Sequence, residues 1–250
     1  MSPSLHDMSP LHILPVAMPE SSLTFVKRSA TFSYYGELYE SLAQHAAKFV
    51  TENTDGVENE LMTTLQAFLE ASHKDGIGNP PEKSCCWFTI RITKPNNAFD
   101  VPRWHQDGRM FQCDEGREAV ARSKYALTLL GPPTLLLPAD AAVFETITNG
   151  EEKFLWWRGN EGKTSTEEDR DEAYDAMREW LSDKFRKTSR VTVKKGDIVR
   201  FSWGRDDSPV HSEPQMVMDR VFITVLYGSE TELKSMCGYR DVEFGKIYNE

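Results

Sequence analysis

Three side chains able to ligate a metal occur in a spacing that chemistry can use. His105 and Asp107 flank Gln106 in the run Trp104-His105-Gln106-Asp107-Gly108. In an extended strand successive side chains alternate faces, so this imidazole and carboxylate point to one side and Gln106 to the other. A third candidate, His211, lies in Pro209-Val210-His211-Ser212-Glu213-Pro214. Two imidazoles and one carboxylate leave coordination positions open on a divalent first-row metal, the donor set of non-haem Fe(II) oxygen chemistry. Zinc is the alternative ion, although its sites are more often closed or keep a single exchangeable water. Nine residues beyond His211 stands Arg220. A dicarboxylate that chelates the metal at one end needs a cation for its other carboxylate, and a planar guanidinium binds one bidentately.

Elements must carry these residues to one place. The Ser/Pro/Met-rich stretch up to about residue 34 reads as an extended arm. Leu38, Leu42, Ala46 and Phe49 recur at helical spacing and predict a helix from Tyr35 to about Thr51. A second helix is predicted from about Val57 to Ser72, and the pair forms a buttress over residues 35–75. His45 and His73, on or beside these helices, read as surface or capping residues. Cys85 to Thr93 reads as a strand, as does Lys124 to Leu130, which Gly131-Pro132-Pro133-Thr134 terminates before Leu135 to Leu137. Residues 149–187 are charged and read as an insertion with one helix, opened by Ser165 and Glu168 in capping-box spacing. Short strands follow at Val191 to Val193, Ile198 to Trp203 and Arg220 to Tyr227. Helices first, then many short strands, predict a mainly β core, a sandwich or barrel with a helical buttress and one helical insertion.

Composition limits the function. The chain has 250 residues, 39% of them hydrophobic and 27% charged, which suits a single globular domain. A formal net charge of −10 argues against nucleic acid or an anionic membrane as partner, because phosphate binding needs a concentrated basic surface. No apolar run reaches membrane-spanning length, and the cysteines Cys85, Cys86, Cys113 and Cys237 show no zinc-ribbon spacing. A soluble cytoplasmic protein with reduced cysteines is expected.

The His-x-Asp pair, the distal His211 and an Arg about ten residues later resemble the Fe(II)/2-oxoglutarate-dependent dioxygenases. The Trp-His-Gln-Asp run is similar to the phytanoyl-CoA hydroxylase-like and taurine dioxygenase-like branches. The resemblance spans roughly residues 85–228 and implies a double-stranded β-helix (a cupin-like jelly roll), with a C-terminal tail from 229 to 250. It implies His105, Asp107 and His211 as iron ligands and Arg220 on the distal carboxylate of 2-oxoglutarate. In taurine dioxygenase-like enzymes a Thr after a Gly-Gly pair also contacts the co-substrate. Thr134 is similar in position, with the second glycine replaced by proline. Many relatives carry Ser two residues after the Arg, where this chain has Phe222. The cofactors implied are Fe(II), 2-oxoglutarate and O2, with ascorbate as a candidate reductant. The implied reaction couples decarboxylation of 2-oxoglutarate to oxidation of a substrate C–H. An intact Asp107 favours hydroxylation, desaturation or ring closure over halogenation.

For the substrate, the candidates are Arg91, Arg200 and Trp203 on core strands and Phe111, Trp156 and Trp157 as lid residues. An inward-facing Arg91 or Arg200 would suit an acidic small molecule such as an amino acid. The other readings are an oxygenase acting on a protein side chain and a cupin-like metal protein that does not use 2-oxoglutarate. Oligomeric state is not legible.

Overall fold

Strands rich in β-branched and aromatic residues form the centre of the molecule, and β6 and β8 are buried at every position. The computed structural model describes residues 9–19, 21–76, 84–107, 122–158, 165–203, 206–230, 233–234 and 236. Its strands are β1 (Leu11–Ile13), β2 (Ala30–Glu37), β3 (Cys85–Thr93), β4 (Arg122–Leu130), β5 (Leu135–Leu136), β6 (Ile198–Trp203), β7 (His211–Ser212) and β8 (Arg220–Gly228). Its helices are α1 (Leu42–Asn53), α2 (Glu58–Gly76), α3 (Ala141–Phe154) and α4 (Glu167–Phe185). Six strands make an antiparallel sheet in the order β1-β6-β4-β8-β3-β2, and β5 pairs with β7 in a second, two-stranded sheet. No helix among the described residues is long and apolar enough to cross a membrane.

The six-stranded sheet has two unlike faces, assigned by residue parity. Phe88 and Ile90 of β3, Tyr125 and Leu127 of β4, and Ile223 and Val225 of β8 share a core with Leu42, Ala46, Leu65 and Phe68 of the helices α1 and α2. The opposite face carries Val199 and Phe201 of β6, Ala126 of β4 and Phe222 of β8, which pack on Leu136 of β5. This second face also carries polar groups: Thr89 and Thr224 share a hydroxyl hydrogen bond of 2.6 Å, and Lys124 and Arg220 lie on it by register.

The second sheet is extended at both sides by single bridges. His105 bridges to His211, and Leu136 bridges to Val191. The second layer therefore runs in the order His105, β7, β5, Val191. Together the two layers form a β-sandwich.

The fold departs from the sequence reading in four places. The helix expected from Tyr35 begins at Leu42, and residues Ala30–Glu37 instead form β2, an edge strand paired along its whole length with β3. Thr31-Phe32-Ser33-Tyr34-Tyr35 is rich in strand-forming types, and the helical spacing of Leu38 and Leu42 was extended too far back. An unexpected helix, α3, runs into the start of the 149–187 insertion; it begins at Ala141, capped by the Asp140 carboxylate, which accepts from the amide of Val143. The capping box of α4 is built by Thr166 and Asp169, one position after the expected Ser165 and Glu168. Val191 to Val193 forms only a single bridge, not a strand.

Candidate metal centre

His105 and His211 are brought side by side by their own backbones. The amide of His105 donates to the carbonyl of His211 (3.0 Å) and the amide of His211 donates back (2.9 Å). Residues exchanging both bonds in an antiparallel pair present their side chains on the same face, and here the ring centroids are 4.4 Å apart. Asp107, two residues beyond the single bridge at His105, joins them from a bend. Its Oδ1 lies 3.8 Å from His105 Nε2 and its Oδ2 lies 3.4 Å from His211 Nε2. The three ligand atoms all lie within 4.8 Å of one another, a group able to hold a metal ion.

Each imidazole is already oriented for ligation. His105 Nδ1 lies 2.7 Å from the carbonyl oxygen of Arg103, and His211 Nδ1 lies 3.0 Å from that of Pro209. A carbonyl only accepts, so Nδ1 carries the proton and donates, leaving the Nε2 lone pair free towards Asp107. Phe201 stacks on His211 at 5.1 Å, 25° from parallel, and fixes that ring's plane. Burial and the neighbouring His211 hold the His105 pKa below its ordinary value, despite the opposing pull of Asp107. The shift favours the neutral imidazole, the form that binds a metal. Burial would raise the Asp107 pKa, but Lys124, His211 and His105 together hold it well below the ordinary carboxylate range. Lys124 Nζ donates to Asp107 Oδ2 at 2.7 Å. The centre is open on one side: the side chains of Asp107 and His211 are 8% and 7% exposed, but that of His105 is 35% exposed.

The motif is held from behind. Gln106 points away from the ligands, as expected, and its amide donates to the carbonyls of Asp206 and Ser208 (2.9 and 2.7 Å), in the loop leading to His211. Trp104 is buried against Phe185 of α4, edge to face at 5.8 Å, in a cluster with Leu137, Val143, Leu181 and Val210. Arg178 of α4 donates to the carbonyls of Val101 and Ala98. The insertion is thus the support of the His-x-Asp segment. Trp156 and Trp157, expected near the substrate, form a T-shaped pair at the end of α3, and Trp157 packs on Tyr174 of α4.

Arg220 and Thr134 meet, although 86 residues separate them. The guanidinium donates to Thr134 Oγ1 (3.2 Å) and to the carbonyl of Pro132 (3.0 Å), and stacks over the Phe222 ring at 4.1 Å. Gly131 allows the approach: its φ is +79°, and a Cβ there would lie 2.3 Å from the carbonyl oxygen of Asp219. Burial pushes the Arg220 pKa down to about 10, still protonated at neutral pH. Among the described residues no carboxylate is within ion-pair distance of it.

The remaining substrate candidates separate. Arg200 is turned to the helix face, where it pairs with Asp75 of α2 at 3.1 Å and donates to the Ser9 carbonyl; the structure does not bring it to the ligand cluster. Strand β6 is buried along its whole length, so its sequence does not mark which parity faces the centre. Trp203 is on the metal side, with Lys124 Nζ 5.4 Å from its ring centroid. Phe111 lies outside the described residues, as do Cys113 and Cys237; Cys85 and Cys86 are buried and free.

Arg91 is on the metal side, half-exposed, and pairs with Glu213 Oε1 at 3.3 Å. Arg103 reaches the same oxygen at 3.8 Å. The sequence reading missed Lys124, Arg103 and Glu213. The signal for the last two was parity: each stands two residues from a ligand histidine.

A scan against protein-family models finds no match, and no curated protein matches the chain.

Proposed function

We propose that this chain is a non-haem Fe(II)/2-oxoglutarate-dependent oxygenase that oxidises an unactivated C–H of a small molecule. The observation that carries the reading is the conjunction of two separate arrangements on one side of one sheet. His105, Asp107 and His211 converge with both Nε2 atoms turned towards the Asp107 carboxylate, and the buried Arg220 lies beside Thr134 with no carboxylate within ion-pair distance among the described residues. A metal site alone would not call for the second arrangement.

The chain path supports a double-stranded β-helix. From β3 onwards the segments alternate between layers: β3, the His105 segment, β4, β5 with Val191, β6, β7, β8. The order β6-β4-β8-β3 in one layer and Val191-β5-β7-His105 in the other suits a jelly roll.

In this reading His105, Asp107 and His211 hold the metal through Nε2, a carboxylate oxygen and Nε2. The bound iron and 2-oxoglutarate would supply oxidation by O2, with decarboxylation of 2-oxoglutarate to succinate and CO2. The chain's own residues prepare the site. The Arg103 and Pro209 carbonyls hold the imidazole tautomers, and Lys124 keeps Asp107 ionised. Arg220, with the Thr134 hydroxyl beside it, binds the distal carboxylate of the co-substrate. Phe201, Phe222 and Leu136 exclude water from the interior of the sandwich. Substrate approaches from the exposed side of His105.

Anaerobic titration of the protein with Fe(II) and then 2-oxoglutarate is expected to give a weak visible charge-transfer band. That band should be absent in Asp107→Ala and Arg220→Ala. An iron-loaded protein that neither binds nor consumes 2-oxoglutarate would falsify the reading.

A further inference from the structure

The metal-bearing face continues one rung beyond the histidines, and that rung is incomplete. His105 and His211 form a single antiparallel bridge; the same register carried two residues on sets 103 opposite 213, and Arg103 does reach Glu213, at 3.8 Å. Arg103 and Glu213 therefore share the face of the ligand imidazoles, about 7 Å further along the strands. Arg91, on β3 of the facing sheet, reaches the same place.

Two features of this cluster are unsatisfied. The first is an acceptor: Glu213 Oε1 takes both arginines (3.3 and 3.8 Å), whereas Oε2 is buried with no hydrogen-bond partner among the described residues. A buried carboxylate oxygen left without a donor is unfavourable and marks a place that a ligand completes. The second is charge. Two guanidiniums face one carboxylate, so +2 and −1 leave one positive charge. Both arginine side chains are about half exposed, 49% and 52%, and each guanidinium has five donor hydrogens, so donors remain for a further anion. Arg103 is held in place by the Phe99 ring, 4.6 Å away. A ligand that brings one N–H cation and one carboxylate on neighbouring atoms would satisfy both.

We infer that the rung of Glu213, Arg103 and Arg91 is the substrate-recognition site, and that it takes a free α-amino acid. The ammonium donates to Glu213 Oε2 and the α-carboxylate is held by Arg103 and Arg91. The side chain of the amino acid is then directed one rung along the face, towards His105, Asp107 and His211. The inference deepens the oxygenase reading and rests on it for the chemistry that follows binding.

The test uses the full chain loaded with Zn(II), which occupies the ligands without turnover, in the presence and absence of 2-oxoglutarate. Saturation-transfer NMR with an equimolar mixture of the twenty common L-amino acids identifies a binder. That binder is then titrated beside the matching amine without carboxylate, the matching 2-hydroxy acid and the N-acetyl derivative. At least one amino acid is expected to bind, with all three analogues weaker by about tenfold or more, because each leaves a charged partner unmatched. Glu213→Gln is expected to weaken the amino acid about tenfold while Zn(II) and 2-oxoglutarate affinities stay within about twofold. The analogue series in the unsubstituted protein decides the matter if that variant folds poorly. Binding of 2-oxoglutarate without any amino acid overturns this inference alone, as does a 2-hydroxy acid or N-acetyl derivative that binds as well as the amino acid. Amino-acid binding without 2-oxoglutarate binding overturns the oxygenase reading alone, and absence of both overturns both.

Discussion

Lys124 is the counter-ion of Asp107, and the pair is mostly buried, with side chains 20% and 8% exposed. Removing one member of such a pair leaves an uncompensated charge. Lys124→Met is therefore expected to destabilise the metal-free protein by about 3 kcal/mol. Saturating Zn(II) should recover most of that loss, because the ion takes over the neutralising role. Urea denaturation with and without Zn(II) measures both, and an equal loss in the two conditions would refute this role for Lys124. Arg220 makes the opposite case. Its charge is buried with no carboxylate within ion-pair distance among the described residues, so it serves a ligand better than it serves the fold. Arg220→Met should leave stability within about 1 kcal/mol and weaken 2-oxoglutarate binding about a hundredfold, read by thermal melting and calorimetry. A large fall in melting temperature would show that Arg220 is a structural residue.

At the scale of elements, helix α4 is the part most directly tied to the ligands, although it contributes none. Phe185 packs on Trp104, the residue before His105. Phe185→Ala is expected to cost about 3 kcal/mol as a buried aromatic truncation. It should also weaken Zn(II) binding about tenfold through the displaced strand, as the loss of supporting contacts does in metal sites. Phe185→Leu should retain most of the affinity, and unchanged Zn(II) affinity in Phe185→Ala would detach α4 from the centre. The N-terminal arm is attached differently. Asp55 accepts from the amides of Thr24 and Phe25 and from the Thr24 hydroxyl. Burial acts to raise its pKa, but the bonds from Phe25 and Thr24 hold it below the ordinary 3.8. A folded pKa below the unfolded one means stability that is present above the unfolded value and lost as pH falls through the folded one. The stability difference between the native chain and Asp55→Asn should thus be constant above about pH 5 and shrink below about pH 4. A difference that persists at pH 2 would rule out this linkage.

Element type was legible where one physical pattern dominated. Cys85–Thr93 and Ile198–Trp203 match the expected strands because β-branched and aromatic residues leave little competition. Helix α3 was illegible for a tertiary reason. The insertion was set to begin at Asn149, inside α3; a Cβ at Gly150 would lie 3.1 Å from the Trp180 ring, so this glycine serves the close packing of α3 on α4. The candidate metal ligands were readable from spacing because strand parity settles their faces locally. Arg200 was not, since its partner Asp75 lies on α2, 125 residues away. Glu213 needed the His105–His211 register before its opposition to Arg103 could be seen.

At the scale of the whole molecule, the centre joins two segments about a hundred residues apart in the chain, through one pair of reciprocal backbone bonds. An ion held by His105, Asp107 and His211 would close that span as a covalent bridge does. In the chain-entropy account a closed loop of about 100 residues is worth about 4.7 kcal/mol against the unfolded ensemble. The span contains α3, α4 and strands β4 to β6, so opening it releases strands of both layers together with the two helices. The metal would then act as a topological lock. Its loss should speed global unfolding far more than it alters the secondary structure of the folded state, which stopped-flow chelation followed by fluorescence and far-ultraviolet dichroism would resolve.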